Sequence, residues 1–130
     1  MPIEVGTNVL DSRPYRVSWS YVADGAGTAR VKLGTLCRTF VSLSAYQRDG
    51  VDAYAVKLLD EYGIDYLGGL GAVMAAPGRN HVQLAAVYGT RELTLTVYGK
   101  LWLEVTGATA GVSGTVDVVL ADPTDLRAVL

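Results

Sequence analysis

Side chains that carry chemistry are scarce in this chain, and each scarcity removes a class of function. There is one cysteine, Cys37, so no disulfide can form within the chain. One cysteine and one histidine, His81, leave a zinc site short of its usual ligands. No apolar run approaches the ~20 residues that span a bilayer. The 11 Lys and Arg and 13 Asp and Glu are dispersed and give a net charge of −2. No basic cluster is present to track a phosphate backbone, so nucleic-acid binding is not expected. The first residues have neither the basic region nor the apolar core of a signal peptide. The expectation is a protein made and kept in a cytoplasm unless cell lysis releases it.

What is present is apolar surface, arranged in alternation. Half of the residues are hydrophobic and the mean hydropathy is +0.26. That is high for a small soluble monomer, and the surplus is expected to enter a protein–protein contact. At 130 residues the chain is one domain, large enough to bury a core without staples. Leu93, Leu95 and Val97 alternate with Thr94 and Thr96; Leu101, Leu103 and Val105 alternate with Trp102 and Glu104. The small-residue loop 106–111 follows, and Val116, Val118 and Leu120 resume the pattern. Period-two alternation places each set on one face of a sheet.

Earlier segments read the same way. In 15–22, Tyr15, Val17, Trp19 and Tyr21 share a face, and Asp24-Gly25 marks the next turn. Two strands are expected at 29–33 and 36–43, split by Gly34-Thr35, with Cys37 packed as a small hydrophobe. Another is expected at 81–87. Residues 51–62 fit either a helix, with Gly63 just past its end, or a strand ending in an Asp60-Glu61-Tyr62-Gly63 turn. The glycine-rich stretch 64–76 reads as a short helical turn and a loop packed by its leucines. About eight strands with turns every 8–12 residues predict an all-β, single-domain, jelly-roll-like β-sandwich. Its expected limits are an irregular N-terminal arm at 1–14, the sandwich at 15–121 and a C-terminal tail at 122–130.

No catalytic constellation is legible. His81 follows a Pro-Gly-Arg-Asn turn and reads as a solvated strand-end residue, and no Gly-x-Ser-x-Gly elbow accompanies it. Asp49, Asp52, Asp60, Glu61 and Asp65 lack calcium-loop order and read as solvated turn carboxylates. Gly68-Gly69-Leu70-Gly71 lacks the Lys-Ser/Thr of a phosphate loop and the third glycine of a dinucleotide fingerprint. The chain is therefore expected not to be an enzyme and to hold no metal or cofactor. Trp102 faces away from Leu101 and Leu103, either on a second buried face or as an interface anchor. The candidate interface residues are Val9, Leu10, Trp102, Leu126 and Val129. The two termini are the candidate segments for reaching neighbours.

The run from Tyr54 to Ala72 goes from an alternating strand through Asp60-Glu61-Tyr62-Gly63-Ile64-Asp65 into Leu67-Gly68-Gly69-Leu70-Gly71-Ala72. It resembles a segment of small virion proteins of tailed bacteriophages. Leu93–Val97, the small-residue loop and Ser113-Gly114-Thr115-Val116 match the later part of that pattern. The chain departs from it at Val73-Met74-Ala75-Ala76-Pro77, where polar residues would be expected. Within that group the build is most similar to capsid decoration (cement) proteins. The resemblance implies a strand for 51–62 and a non-enzymatic protein that binds the outer surface of the major capsid protein lattice and stabilises the shell. It also implies self-association as a homodimer or homotrimer, no nucleic-acid or membrane partner, and a place in the virion after assembly in the bacterial host cytoplasm. Two alternatives remain: a tail, neck or adaptor component, and a carbohydrate-binding module using an aromatic row such as Trp102 with Tyr98.

Overall fold

The computed structural model describes residues 7–13, 16–83 and 95–121, and no helix occurs among them. Seven strands follow in order: β1 (Thr7–Arg13), β2 (Arg16–Val22), β3 (Ala29–Gln47), β4 (Ala55–Leu59), β5 (Gly78–Gln83), β6 (Leu95–Thr106) and β7 (Ser113–Ala121). All pair antiparallel in one sheet of order β1-β2-β7-β3-β6-β4, with β5 added beside β3.

The 19-residue β3 makes a sandwich out of this single sheet. Its first half pairs with β6, from Ala29↔Val105 to Phe40↔Leu95. Its second half pairs with β7 on one side and β5 on the other. One layer is therefore β1-β2-β7-β3-β5, the other is β3-β6-β4, and β3 belongs to both. The inward side chains of both layers form one core, with Trp19, Leu43, Val56, Leu101, Leu103 and Val116 buried to 1% or less. Each large aliphatic or aromatic side chain so placed contributes about 1.5–3 kcal/mol. The all-β, jelly-roll-like sandwich predicted from alternation is observed.

β3 also explains where alternation misleads. Its pairing with β6 shifts register between Lys32 and Gly34, and its pairing with β7 shifts between Phe40 and Ser42. Each bulge adds one residue and reverses which face the following side chains take. Ala29, Val31 and Leu33 face inward, then Phe40, then Leu43 and Ala45. Gly34 takes φ +102°, which only glycine adopts easily, so the expected break between two strands is a bulge within one. Cys37 lies between the bulges, opposite Tyr98, and is exposed rather than buried.

Two other expectations change. Residues 7–13 of the expected arm form β1, paired with β2 along its whole length. Asn8 fastens it: its Oδ1 accepts from the buried Trp19 indole N–H at 2.9 Å, and its Nδ2 donates to the Arg30 carbonyl of β3 at 2.9 Å. In 64–76, no helical turn forms. Successive turns close through Gly68 N–H to Asp65 O, Leu70 N–H to Leu67 O and Ala72 N–H to Gly69 O. The strand reading of 51–62 holds, with β4 leading into the Asp60 turn. The strand expected at 81–87 is described as far as Gln83; its remainder and the tail at 122–130 lie outside the described residues.

Candidate functional site

Two surface features stand out at opposite ends of the sandwich. The first is the turn after β4. Asp60 Oδ1 accepts from the Tyr62 and Ile64 N–H groups at 2.8 and 2.9 Å. Gly63 completes the turn at φ +83°. Asp65 accepts from Leu58 and Leu67 N–H through Oδ1, at 3.2 and 3.0 Å, and from Gly69 N–H through Oδ2 at 3.2 Å. These two carboxylates, expected to be merely solvated, are the internal scaffold of the segment. Leu67 is buried beneath it. Val56 N–H donates to Gly71 O at 2.8 Å, and Tyr54 exchanges two backbone bonds with Met74. The segment thus covers the free edge of β4, as edge strands require. A methyl group at position 71 would overlap the Val56 carbonyl oxygen, so glycine is needed for that approach. The result is a fixed tip carrying Tyr62, 81% exposed, and Ile64, 63% exposed.

The second feature lies at the other end, where loops 23–28, 48–53 and 107–112 meet through Ala23 N–H to Val112 O and Val51 N–H to Thr109 Oγ1. Beside them an open groove of about 480 Å³ runs over β1, β2, β7 and β3, walled by Val9, Val22, Tyr46, Arg48 and Thr115. Register builds its floor, because Val9, Ser20, Thr115, Tyr46 and Arg79 lie side by side across five strands. The Arg79 guanidinium sits 5.3 Å from the Tyr46 ring centroid. The neighbouring row is Asp11, Ser18, Asp117, Ser44 and His81.

That second row contains serine, histidine and aspartate without a triad's connectivity. Ser44 Oγ meets His81 Nδ1 at 3.0 Å, while Asp117 accepts from Ser18 Oγ at 2.6 Å and from Arg16 at 3.5 Å. Among the described residues no carboxylate orients the imidazole, as nucleophile activation requires. Among the described residues no three His, Cys, Asp or Glu side chains converge on a point that could hold a metal ion.

Beneath the groove lies a buried polar pair. Gln47 Nε2 donates to the Tyr21 hydroxyl at 2.7 Å. Burial pushes Tyr21 up to about 12; the Gln47 hydrogen bond opposes the rise and nearby Tyr54 adds to it. Burial raises Tyr54 as well, and Asn80 offsets part of this. The Asn80 amide bonds both the N–H and C=O of Ala75 at 2.9 Å. Among the described residues, the buried Tyr54 hydroxyl and Gln47 Oε1 have no hydrogen-bond partner.

The sequence-predicted interface residues are scattered. Val9 is 65% exposed at the groove, whereas Leu10 packs partly against the core. Trp102 is 2% exposed, which corrects its reading as a surface anchor. It stands between Leu59 and Lys32 in register, with the Lys32 ammonium 5.8 Å from its ring centroid. Beside it the buried Glu104 pairs with Arg30. Leu126 and Val129 lie outside the described residues. Tyr62 and Ile64 were missed, although Asp60 two and four residues ahead of them is the signal of a side-chain-capped turn.

No protein-family model matches the chain, and no curated protein matches it. Among solved structures, a cupin domain from Bordetella pertussis Tohama I aligns over 92% of this chain and 97% of its own, at 9% identity and a TM-score of 0.33.

Proposed function

We propose that this chain is a structural, non-enzymatic virion protein of a tailed bacteriophage: a decoration protein that binds the outer surface of the major capsid protein lattice and stabilises the shell. The observation that carries this reading is the turn after β4. In the segment that resembles phage virion proteins, both aspartates are spent on backbone N–H groups. What the segment offers outward is an exposed tyrosine and isoleucine whose backbone is held by Asp60. A preformed aromatic and aliphatic tip contributes affinity with little ordering cost, and tyrosine is enriched at interface hot spots. Many such modest contacts on a fixed lattice add as avidity, so each copy needs little area of its own.

The carbohydrate-binding alternative loses half of its proposed aromatic row, because Trp102 is buried while Tyr98 is exposed. Imaging of assembled particles tests the proposal. Hundreds of copies distributed over the shell are expected. A ring of a few copies at one vertex would reassign the chain to the neck or tail, and absence from the particle would overturn the virion reading.

A further inference from the structure

We propose that copies of this chain associate head to tail, with the Tyr62–Ile64 tip of one copy seated in the groove of the next. This deepens the virion reading and rests on it for its biological setting; the contact itself is argued from geometry. β4 runs away from the loops beside the groove, from Ala55↔Thr106 to Leu59↔Trp102, and the tip follows its far end. The groove lies at the near end, by Val22 and Ser113. A tip and a groove at opposite ends of one body meet only between molecules.

Shape and charge select the occupant. The groove, at about 480 Å³, is within the roughly 300–1,000 Å³ range of pockets that engulf a compact ligand, so a tyrosyl and an isoleucyl side chain fit together. Its walls offer Val9, Val22 and the Tyr46 ring to those apolar groups. The tip carries Glu61, exposed between Asp60 and Tyr62. The groove rim carries Arg48, whose side chain is 83% exposed and whose ion-pair partner among the described residues is Asp49, at 3.9 Å. An exposed pair at that distance contributes little, so Arg48 can exchange it for Glu61 of the incoming copy. Asp49 also lines the groove and offsets Arg48, and Arg79, next to Tyr46 in register and over its ring, leaves this face with a net positive charge. The contact is heterologous: it forms a ring where the rotation closes and a chain of copies where it does not. Two anchoring side chains bury less than the roughly 1,000 Å² of a stable interface, so association in solution is weak and gains strength on a lattice.

Sedimentation equilibrium of the full chain tests this without any capsid. Association with a Kd between about 10 μM and 1 mM is expected. Glu61→Arg and Arg48→Glu are each expected to weaken it at least tenfold, and the double exchange to restore it. All these positions are exposed, so thermal melts of the variants should match the parent. In a Cys37→Ser background, Ile64→Cys mixed with Val22→Cys should form a disulfide-linked pair that neither forms alone. A chain still monomeric at about 1 mM would overturn the proposal. So would unchanged association after either charge reversal, or Ile64→Cys pairing with itself as readily as with Val22→Cys. Those failures leave the shell reading to particle imaging; a successful cross-link in a protein absent from virions would retain the contact and remove the virion setting.

Discussion

Replacing Asp65 by alanine should damage this domain more than replacing any other exposed or half-buried carboxylate of the β4 turn. The wild-type carboxylate accepts three backbone N–H groups, from Leu58, Leu67 and Gly69. The first two bonds are partly buried, and both leucine side chains belong to the core. A bond to a charged acceptor contributes about 1.5–3 kcal/mol, and a stranded buried donor costs about 1–3 kcal/mol. The Gly69 N–H is exposed and regains water, so it adds little. The loss for Asp65→Ala is therefore about 3 kcal/mol. For a chain of this size that lowers Tm by roughly 9–15 °C, interpolating between smaller and larger domains. Asp65→Asn keeps the Oδ1 acceptor and turns an N–H₂ group toward Gly69, for a loss of about 1 kcal/mol. Asp60→Ala frees two exposed N–H groups and should lose about 1 kcal/mol or less. Urea unfolding followed by the fluorescence of Trp19 and Trp102, with a constant m-value, measures all three. An Asp65→Ala variant within about 0.5 kcal/mol of the parent, or one less damaged than Asp60→Ala, would refute the view that this carboxylate scaffolds the turn.

Alkaline pH should destabilise the protein through Tyr21. Its folded pKa of about 12 lies above the ordinary value of 10.0, so the unfolded chain loses its proton first. Stability is then full below pH 10 and falls between pH 10 and 12; Tyr21→Phe, though less stable at neutral pH, should show a shallower fall in denaturant titrations across that window. Cys37, exposed opposite Tyr98, should react with a bulky thiol reagent in the native protein at a rate within about tenfold of the urea-unfolded chain. Full protection until unfolding would mean that β3 lacks the bulge preceding it.

Alternation made most of the core legible, because β2 and β7 bury every second residue; in β6 it marked the inward Leu101, Leu103 and Val105 but not the burial of Trp102 and Glu104 between them. It failed in β3, where two register shifts reverse the face and no residue other than Gly34 announces the first of them. Asn8 was equally silent: its two side-chain bonds join β1 to residues far along the chain, and local pattern cannot register them. Trp102 was legible as outward-facing, but its burial depends on Leu59 and Lys32 arriving from other strands. The Asp60 turn was legible in the strand reading of 51–62, whereas the Asp65 bond to Leu58 depends on the turn folding back over β4.

The long shared strand also sets an order of events during synthesis. Until β6 and β7 emerge, β3 can pair only with β5, and its 19 residues have neither of their long partners. At about 5–20 residues per second, the stretch from Gln47 to Ala121 takes roughly 4–15 s to translate. Through that interval the nascent chain displays a long, apolar, half-paired ribbon. Its yield in a crowded cell should depend on chaperone supply and growth temperature far more than the stability of the finished fold would indicate.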